Sequence, residues 1–359
     1  MFVIGFSKDL RPRRFTQHAR FYLLPKLPFS TLRHILIFTV GTGLVLWIIL
    51  TKGASVLVAQ SPYEGFAGGL AKHVAQFLGR SVILIIESHG DFEGSLFRQR
   101  RVLSVRLYGW LMSRVAGFSL RQADLLRAVS RSTKGQLQAW APGKQVVEFP
   151  AWTDLDIFLE AGKSRQDAAA KDIMFAGVLT PLKGVHFLVE AFASVAKDIP
   201  LARLWIVGRF DNEAYVKTLK AQARQLGLDG RVTFMDEVSQ PILARYMARA
   251  HAFVLPSVSE GLGRVVIEAM ATGTPVVGSR IGGIPELIED GVTGFLFPPG
   301  DATALAGRLL WILTHPEEAK AMGDRAREFA RSFFSIDSYV KGYDSLFEKA
   351  ERLLGHPTS

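Results

Sequence analysis

The feature that most constrains this chain is a strand, a glycine-flanked loop and a helix start that follow one another directly. The run His251 to Leu255 is apolar after its first residue and predicts a buried strand. In the loop after it, Gly261 and Gly263 carry no Cβ, so the backbone there can approach a ligand closely. The helix predicted to start near Arg264 directs its free N–H groups at the same spot. A unit of this kind predicts an anion-binding turn after a strand.

Two carboxylates flank this turn. Glu260 lies on the loop, and Glu268, eight positions later, lies about one turn into the helix, where it can face the same ligand. A carboxylate accepts hydrogen bonds from adjacent hydroxyls, so the pair suits a nucleotide sugar whose phosphate is held by backbone dipoles. The competing interpretation is that both glutamates cap and solvate a helix. Spacing alone favours that interpretation, whereas the surrounding residues favour the pocket.

This stretch resembles the donor-binding signature of retaining GT-B glycosyltransferases of family 4, whose Glu-x7-Glu pattern Glu260 and Glu268 match. The likeness extends over about the second half of the chain. It implies an α/β fold of the GT-B type, with two Rossmann-like, doubly wound parallel-sheet domains facing a cleft. It also implies transfer of a hexose from a nucleotide diphosphate sugar to a glycan or lipid-linked acceptor, in the synthesis of cell-envelope polysaccharide or glycolipid.

The organisation of the chain points the same way, because short apolar runs alternate with longer helical stretches, as in parallel sheets with crossover helices. We predict an acceptor-binding Rossmann-like domain over 1–160 and a donor-binding one over 161–334, joined by a polar linker over Gly162–Ala170. The resemblance implies that a C-terminal helix over 335–359 packs back on the first domain. Members of this family usually begin with a strand and a glycine-rich turn, but the turn after the predicted strand Phe2–Ser7 contains no glycine. Against that resemblance, we expect this domain either to start late or to lack its first βα unit.

The predicted donor site also uses an earlier turn. Lys183 supplies a point charge for a diphosphate, and Gly184 opens the following helix. Family members often carry Gly-Arg-Leu ahead of this Lys-Gly, but here Gly177 is followed by Val178, so that arginine is missing. The candidates to replace its charge are Arg209 and Arg264. With the nucleobase placed near Val238, the predicted donor-binding residues are Gly177, Lys183, Gly184, Val238, Glu260, Gly261, Leu262, Gly263, Arg264 and Glu268.

The acceptor is expected at the ends of two predicted strands in the first domain. His89 and Asp91 follow the strand Ser81 to Ile86, and Tyr63 and Glu64 follow an earlier one. His89 either orients the acceptor or donor sugar or satisfies backbone carbonyls, and Tyr63 and Glu64 equally suit a plain turn. The predicted catalytic residues are Glu260, Lys183 and His89. No side chain is an evident nucleophile, so the resemblance implies a front-face displacement in which the leaving phosphate takes the acceptor's proton.

Positive charge is concentrated in the first part of the chain. The net charge is +10, yet residues 1–150 hold 20 Lys and Arg against 7 Asp and Glu. Such a half is expected to bind an anionic membrane surface, and no nucleic-acid recognition motif is evident. We therefore expect a cytoplasmic protein, peripheral on the inner face of the membrane. The prominent basic residues are Arg11, Arg13, Arg14, Arg98, Arg100, Arg101, Arg106 and Arg114.

The segment Ile35–Thr51 is apolar almost throughout and has two interpretations. Its 17 residues fall just short of the roughly 20 that span a bilayer, which favours a buried or membrane-grazing helix. A transmembrane span is the alternative.

No cofactor is expected beyond the nucleotide diphosphate sugar as substrate, and no metal ion. Cysteine is absent, which excludes disulfides and a thiol nucleophile. The pair Asp154 and Asp156 mimics a manganese motif, but its place between the domains argues against metal binding. The alternative functions are a catalytically impaired nucleotide-sugar-binding protein, or a sugar-nucleotide epimerase or phosphorylase on the same fold.

Overall fold

The computed structural model describes residues 1–92, 105–163, 171–210, 212–334 and 336–355. It divides into two compact units. The first, here called the N-terminal unit, contains Met1–Val129, Thr133–Phe149 and the chain from Lys341 onward. The second, the C-terminal unit, contains Ser130–Ser132 and Pro150–Val340.

The core of the N-terminal unit is a four-stranded parallel sheet in the order β4-β5-β6-β7. The central strand β5 is buried along its whole length, because apolar side chains on both of its faces are covered. Helix α3 packs on β4 and β5, and α4 and the helix over Thr42–Lys52 pack against α3. The elements are β4 (Val56–Ala59), α3 (Gly65–Phe77), β5 (Ile83–Ser88), α4 (Val105–Gln122), β6 (Leu125–Ala128), α5 (Arg131–Trp140) and β7 (Val146–Glu148).

The first residues of the chain form a separate small sheet. Strand β3 (Arg20–Leu24) pairs in parallel with β1 (Phe2–Phe6) and antiparallel with β2 (Arg13–Thr16). The predicted first strand is therefore present, but it pairs outside the four-stranded parallel sheet.

The apolar segment before β4 is helical throughout. It comprises α1 (Ser30–Leu36), a π-helical turn over Ile37–Gly41 and α2 (Thr42–Lys52). Over Thr31–Lys52 the mean hydropathy is 2.1, and only 22% of the apolar window is buried. The segment is therefore not buried throughout, and the membrane-grazing helix and the transmembrane span both stay predictions. Among the described residues this is the one helix long and apolar enough to cross a membrane, a test that signal sequences and soluble core helices also pass.

The core of the C-terminal unit is a six-stranded parallel sheet in the order β10-β9-β8-β11-β12-β13. This is the order of a doubly wound nucleotide-binding sheet, and it reverses between β8 and β11. Both parallel sheets, with helices in every described crossover, confirm the predicted α/β class. The strands are β8 (Lys171–Ala176), β9 (Ala202–Val207), β10 (Val232–Met235), β11 (Ala252–Leu255), β12 (Val276–Ser279) and β13 (Phe295–Phe297).

Helices surround this sheet, and their apolar faces close the core. The helices are α6 (Asp156–Lys163), α7 (Val185–Asp198), α8 (Glu213–Gln225), α9 (Gln240–Arg249), α10 (Arg264–Ala271), α11 (Ile284–Leu287), α12 (Ala302–Thr314) and α13 (Pro316–Phe333). The last described helix, α14 (Ile336–Leu353), belongs to the N-terminal unit from Lys341 onward.

The division between the units falls before Pro150, whereas the sequence analysis placed it after residue 160. The reason is that α6 packs against α9 and α10, and Arg327 on α13 donates a 2.7 Å hydrogen bond to the Leu159 carbonyl. Residues 162 and 163 of the predicted linker end α6, and residues 164–170 lie outside the described chain. The predicted basic helix from residue 96 is observed from Val105, since residues 93–104 also lie outside it.

Candidate functional site

The two loops that follow β8 and β11 lie side by side where the strand order of the six-stranded sheet reverses. The N–H of Val258, in the loop after β11, donates a 2.8 Å hydrogen bond to the carbonyl of Leu182, in the loop after β8. In open parallel sheets of this kind, ligands bind beyond the carboxyl ends of the strands at such a reversal. The structure therefore brings most of the predicted donor residues to one point.

An ion pair joins the two loops. Lys183 Nζ lies 2.6 Å from Glu260 Oε2, and the Ser257 hydroxyl donates to the same oxygen at 3.1 Å. Both charged side chains are partly exposed, so they can exchange this contact for a ligand. A lysine ammonium has three donors, so Lys183 can keep Glu260 and also meet an anion.

Gly184 permits the close approach of these loops. Its φ is +62°, and a Cβ placed there would lie 2.0 Å from the carbonyl oxygen of Pro256. No other residue type fits this position without displacing the backbone of the β11 loop. The predicted Lys-Gly pair thus does two things: the lysine supplies charge, and the glycine sets the distance between the loops.

The start of α7 involves a residue that the sequence analysis missed. The Tyr215 hydroxyl accepts a 3.3 Å hydrogen bond from the N–H of His186 and lies 2.8 Å from His186 Nδ1. Burial raises the pKa of Tyr215 to about 12, so the hydroxyl stays protonated at neutral pH. Tyr215 therefore occupies one of the N–H donors at this helix start, and Lys183 supplies the positive charge of the turn before it.

The start of α10 is held open by glycines. Gly263 caps the helix with φ +88°, and the Gly261 carbonyl accepts a 2.9 Å hydrogen bond from the N–H of Gly283. Behind the loop, a Cβ on Gly282 would lie 2.0 Å from the Glu260 carbonyl oxygen. The loop over Glu260, Gly261, Leu262 and Gly263 therefore rests directly on a second glycine pair. In the sequence, the dipeptide Gly282-Gly283 was the signal from which a tight turn at this position could have been predicted.

Glu268 lies one turn into α10, as predicted, and its side chain points into the protein. The residue is 9% exposed, and none of the hydrogen bonds found within the described ranges ends on its carboxylate. Burial raises the pKa of Glu268 to about 7, an effect that the charge of Arg264 partly opposes. A buried carboxyl in these surroundings suits a ligand that brings hydroxyls to it.

The structure gives different surroundings to the two arginines that were candidates to replace the missing one. Arg264 Nε donates a 3.0 Å hydrogen bond to the Thr153 hydroxyl, which ties the start of α10 to the segment before α6. The carbonyl of Arg209 accepts from the N–H of Leu179 at 3.0 Å, which places the β9 loop beside the β8 loop. Val178 lies in that β8 loop and supplies no charge.

Two further predicted donor residues lie on neighbouring loops. Gly177 directly follows β8, and its N–H donates to the Val207 carbonyl at 3.0 Å. Val238 is half-buried in the loop between β10 and α9. Both positions are at carboxyl ends of strands in the same sheet, although Val238 lies two strands away from β8.

The predicted acceptor residues lie in the N-terminal unit, where the structure separates them into two kinds. His89 and Asp91 follow β5: His89 Nε2 lies 2.8 Å from Glu87 Oε2, and Asp91 accepts a 2.9 Å bond from Gln136. Tyr63 is buried in the core instead, with its hydroxyl donating to the Phe92 carbonyl at 2.8 Å. The expectation that Tyr63 faces an acceptor is corrected, because its ring packs edge-on against Phe92.

Glu64 is exposed next to Tyr63 and hydrogen-bonds the Ser61 hydroxyl. In the described part of the chain, no group of three or more His, Cys, Asp or Glu side chains is arranged to hold a metal ion.

Comparison with known proteins finds a family match within the C-terminal unit. Residues 157–329 match the family model for glycosyl transferases group 1. An N-acetyl-alpha-D-glucosaminyl L-malate synthase from Bacillus anthracis is 29% identical over 64% of this chain and 61% of its own length. A GDP-mannose-dependent alpha-(1-6)-phosphatidylinositol monomannoside mannosyltransferase from Mycolicibacterium smegmatis is 32% identical, over 62% of each chain. The chain thus spans less than two thirds of these curated relatives.

Solved structures agree on the fold. Sucrose-phosphate synthase from Thermosynechococcus elongatus superposes with a TM-score of 0.80 at 24% identity, over 97% of this chain and 88% of that one. HepE from Anabaena, in complex with UDP-glucose, gives a TM-score of 0.70 at 24% identity, over 86% and 82%. These likenesses confirm the predicted GT-B architecture with two Rossmann-like domains, and the match of residues 157–329 to the family model agrees with the predicted glycosyltransferase class.

Proposed function

We propose that this GT-B protein is a retaining glycosyltransferase that moves a hexose from a nucleotide diphosphate sugar to a glycan or lipid-linked acceptor. The observation that carries the proposal is the joined pair of loops at the sheet reversal. There Lys183 and Glu260 lie 2.6 Å apart beside the start of α10, and the buried carboxyl of Glu268 lies one turn further along.

Each group has a distinct role in this proposal. The Lys183 ammonium and the N–H groups at the start of α10 stabilise the departing diphosphate, as fixed charges and dipoles aimed at developing charge. Glu268 accepts hydrogen bonds from ribose hydroxyls, and Glu260 contacts the sugar. As the bond from the anomeric carbon to the phosphate oxygen breaks, a bond to the acceptor oxygen forms on the same face. The acceptor's proton passes to the leaving phosphate.

The named relatives support a nucleotide-sugar donor. One is named as GDP-mannose-dependent, and a structural neighbour is described in complex with UDP-glucose. The relatives' acceptors, as their names state them, range from L-malate to phosphatidylinositol monomannoside, so they support an acceptor that carries hydroxyls without choosing one.

Thermal unfolding with UDP, GDP and ADP tests the donor site. A nucleotide at 100 times its Kd stabilises by about 2.7 kcal/mol, which should raise Tm by about 5 °C or more. Lys183→Ala should abolish most of that shift, while Lys320→Ala, at an exposed lysine on α13, should keep it. A cooperative unfolding transition that no nucleotide moves would contradict the proposal.

Product analysis tests the reaction. With an α-linked donor, the glycoside should be α-linked at the transferred sugar, as read from the anomeric coupling in an NMR spectrum. A β-linked product would exclude retention. Nucleotide binding without any transfer would favour the impaired protein suggested by Val178, and release of an epimerised donor would favour the epimerase. We propose that transfer needs no metal ion, since Lys183 supplies the cation; loss of turnover in EDTA would contradict this.

The N-terminal unit is proposed to bind the inner, anionic face of a membrane from the cytoplasm. Two exposed tryptophans support this. The ring centre of Trp47 on α2 lies 5.6 Å from Lys52 Nζ, and the ring centre of Trp110 on α4 lies 5.3 Å from the guanidinium carbon of Arg114. An aromatic ring beside a cation suits the interface of an anionic bilayer. Of the basic residues named from the sequence, Arg98, Arg100 and Arg101 lie outside the described ranges, as does the side chain of Arg106.

Vesicle flotation tests the membrane proposal. Vesicles with about a third phosphatidylglycerol should bind the protein, and neutral phosphatidylcholine vesicles should bind it weakly, because each surface cation contributes about 1 kcal/mol. Trp47→Ser together with Trp110→Ser should reduce binding. Trp152→Ser is the matched control, since Trp152 is 40% exposed against 39% for Trp47 and belongs to the C-terminal unit. Equal binding to both vesicle types would contradict the proposal.

A further inference from the structure

A buried charged cluster lies directly beneath His89 in the N-terminal unit. Glu87 on β5 and Arg127 on β6 are opposite each other in the parallel strand pair, and both are 0% exposed. Arg127 Nη1 lies 3.2 Å from Glu87 Oε2. Burying both charges costs several kcal/mol of desolvation free energy for each ion. The attraction between the two ions only roughly offsets this cost, so a gain in stability alone does not explain the pair.

The C-terminal helix α14 completes the cluster. The Tyr343 hydroxyl donates a 2.6 Å hydrogen bond to Glu87 Oε1 and lies 3.3 Å from Arg127 Nη1. The guanidinium carbon of Arg127 lies 4.1 Å from the centre of the Phe149 ring and 5.1 Å from that of Tyr343. Two aromatic rings therefore hold the arginine in place, and the arginine and the tyrosine fix both oxygens of Glu87.

The contacts of Glu87 determine its charge. Burial would raise the pKa of this carboxyl, but the hydrogen bond from His89, the charge of Arg127 and the hydroxyl of Tyr343 hold it below its ordinary value. Glu87 is therefore ionised at neutral pH. An ionised carboxylate accepts hydrogen bonds and cannot donate them.

That charge fixes the histidine in turn. Since Glu87 Oε2 lies 2.8 Å from His89 Nε2, the hydrogen of the neutral ring must be on Nε2. Nδ1 is then left as an acceptor. The ring is more than a third exposed, at the carboxyl end of β5 where ligands of parallel sheets bind.

We propose that Glu87, held by Arg127 and Tyr343, is a positioning residue that fixes His89 as the Nε2–H tautomer, so that Nδ1 accepts a hydrogen bond from a hydroxyl of the bound sugar or acceptor. This rests on the proposed function and on the sequence prediction that His89 orients the acceptor or donor sugar. It makes that role depend on Tyr343, which lies 256 positions after Glu87 in the sequence, on the last described helix of the chain.

The direct test is the tautomer of His89, which can be read without any turnover. Long-range proton–nitrogen correlation spectra of the full chain labelled with ¹⁵N-histidine distinguish the two ring tautomers, and His89→Gln assigns the signal. We expect Nε2–H in the native protein and a mixture of tautomers in Glu87→Gln, with a smaller change in Tyr343→Phe. An unchanged tautomer in Glu87→Gln would overturn the proposal.

Asp124→Asn is the matched control. Asp124 also pairs with a buried cation, Lys72, whose Nζ lies 2.6 Å from its carboxylate in the same unit. Its carboxylate accepts from the N–H of Leu84, five positions before His89, and none of its described hydrogen bonds involves Glu87 or His89. This variant should lose stability and keep the His89 spectrum. If both variants change the spectrum alike, general loosening of the unit explains the result and positioning is overturned. Tyr343→Phe keeps the test usable if Glu87→Gln does not fold, because its ring can remain on Arg127.

Kinetics then separate positioning from donor binding. Loss of a charge-assisted hydrogen bond should lower kcat about tenfold in Glu87→Gln, with a smaller loss in Tyr343→Phe and with the thermal shift by the donor nucleotide unchanged. In a His89→Ala background, Glu87→Gln should have no further effect. Additive losses, or full turnover in Glu87→Gln, would overturn the proposal. If no nucleotide shifts the native protein, the proposed function fails, and the tautomer measurement still decides the positioning.

Discussion

The two units of this chain use charge in different ways. In the C-terminal unit, Lys183 and Glu260 meet on loops where both remain partly exposed. In the N-terminal unit, Glu87 and Arg127 are fully buried, and His89 beside them reaches the surface. The first arrangement can exchange its ion pair for a ligand. The second cannot, because its charges are buried and already paired with each other and with Tyr343. We infer that the partly exposed pair of the C-terminal unit binds a ligand, whereas the buried pair of the N-terminal unit orients a neighbouring side chain.

The largest effect is expected at the point where the donor loops touch. Gly184→Ala places a methyl group 2.0 Å from the Pro256 carbonyl oxygen, so it should lower the free energy of unfolding by about 4 kcal/mol or more. Gly227→Ala is the control, with φ +70° and open space around it, and should cost about 1 kcal/mol. Urea unfolding of both variants measures the difference. Equal losses would mean that the donor loops are not rigidly joined.

Breaking the ion pair of Lys72, a buried cation of the N-terminal unit, should come next. Lys72 Nζ binds both the Asp124 carboxylate and the Gln122 carbonyl, and Lys72→Met leaves both without it. We expect a loss of about 3 kcal/mol in the free energy of unfolding, with the donor nucleotide Kd unchanged. Arg80→Met, at an exposed residue of the same unit, should have little effect. A raised Kd in Lys72→Met would break the comparison, because a purely structural charge would then affect donor binding.

Glu268 should make stability depend on pH. Its pKa is raised in the folded protein to about 7, so folding favours the protonated form. Its contribution is fully present below the unfolded value near 4.5 and is lost as pH rises through about 7, a change of about 3 kcal/mol. Glu268→Gln should remove this loss, so that the variant is more stable than the native protein at pH 8 and similar at pH 5.

Urea unfolding at the two pH values checks this, with Glu328→Gln on α13 as an exposed control. Glu268→Gln should also weaken nucleotide binding, since an amide replaces the carboxylate that accepts from two hydroxyls. Parallel pH dependences in the native protein and Glu268→Gln would contradict the assignment of a raised pKa to this residue.

The smallest effect is expected at an ion pair of the C-terminal unit whose cation is exposed. Arg203 binds Asp172 through two nitrogens at 2.7 and 2.9 Å, but its side chain is nearly half exposed. Arg203→Met should cost about 1 kcal/mol or less, because water replaces the lost bonds and Trp205 Nε1 still donates to Asp172. Comparison with Lys72→Met by urea unfolding then measures how much burial adds to a pair. If Arg203→Met lowered the free energy of unfolding as much as Lys72→Met does, burial of the cation would not explain the difference between the two pairs.

The donor half was predictable because its chemistry is local in sequence. Glu260, the glycines and Glu268 lie within nine consecutive residues, and the strand before them and the helix around them follow from hydrophobic pattern. The alternation of strands and helices likewise predicted the α/β class. The position of Gly184 against Pro256 could not be predicted, since it depends on which strands become neighbours in the sheet.

The N-terminal half was less predictable, for the same reason. Glu87 and Arg127 are 40 residues apart and resemble ordinary charges until the strand register places them opposite each other. Tyr343 carries no motif at all. The composition of the apolar segment before β4 is that of a core helix. Composition does not show which neighbours pack on a helix, and here only 22% of the apolar window is buried. Tyr63 was misplaced because a polar tip does not reveal whether a ring points inward.

The contact between Tyr343 and Glu87 also has a consequence for how the chain is made. The N-terminal unit is discontinuous, and its last contributor leaves the ribosome only after residues 150–340 have been synthesised. At translation rates of about 5–20 residues per second, that interval is roughly 10–40 s. During this interval Arg127 and Glu87 lack the hydrogen bonds that Tyr343 makes with them in the complete chain. The nascent N-terminal unit is therefore expected to be the part of this protein that chaperones and proteases encounter first.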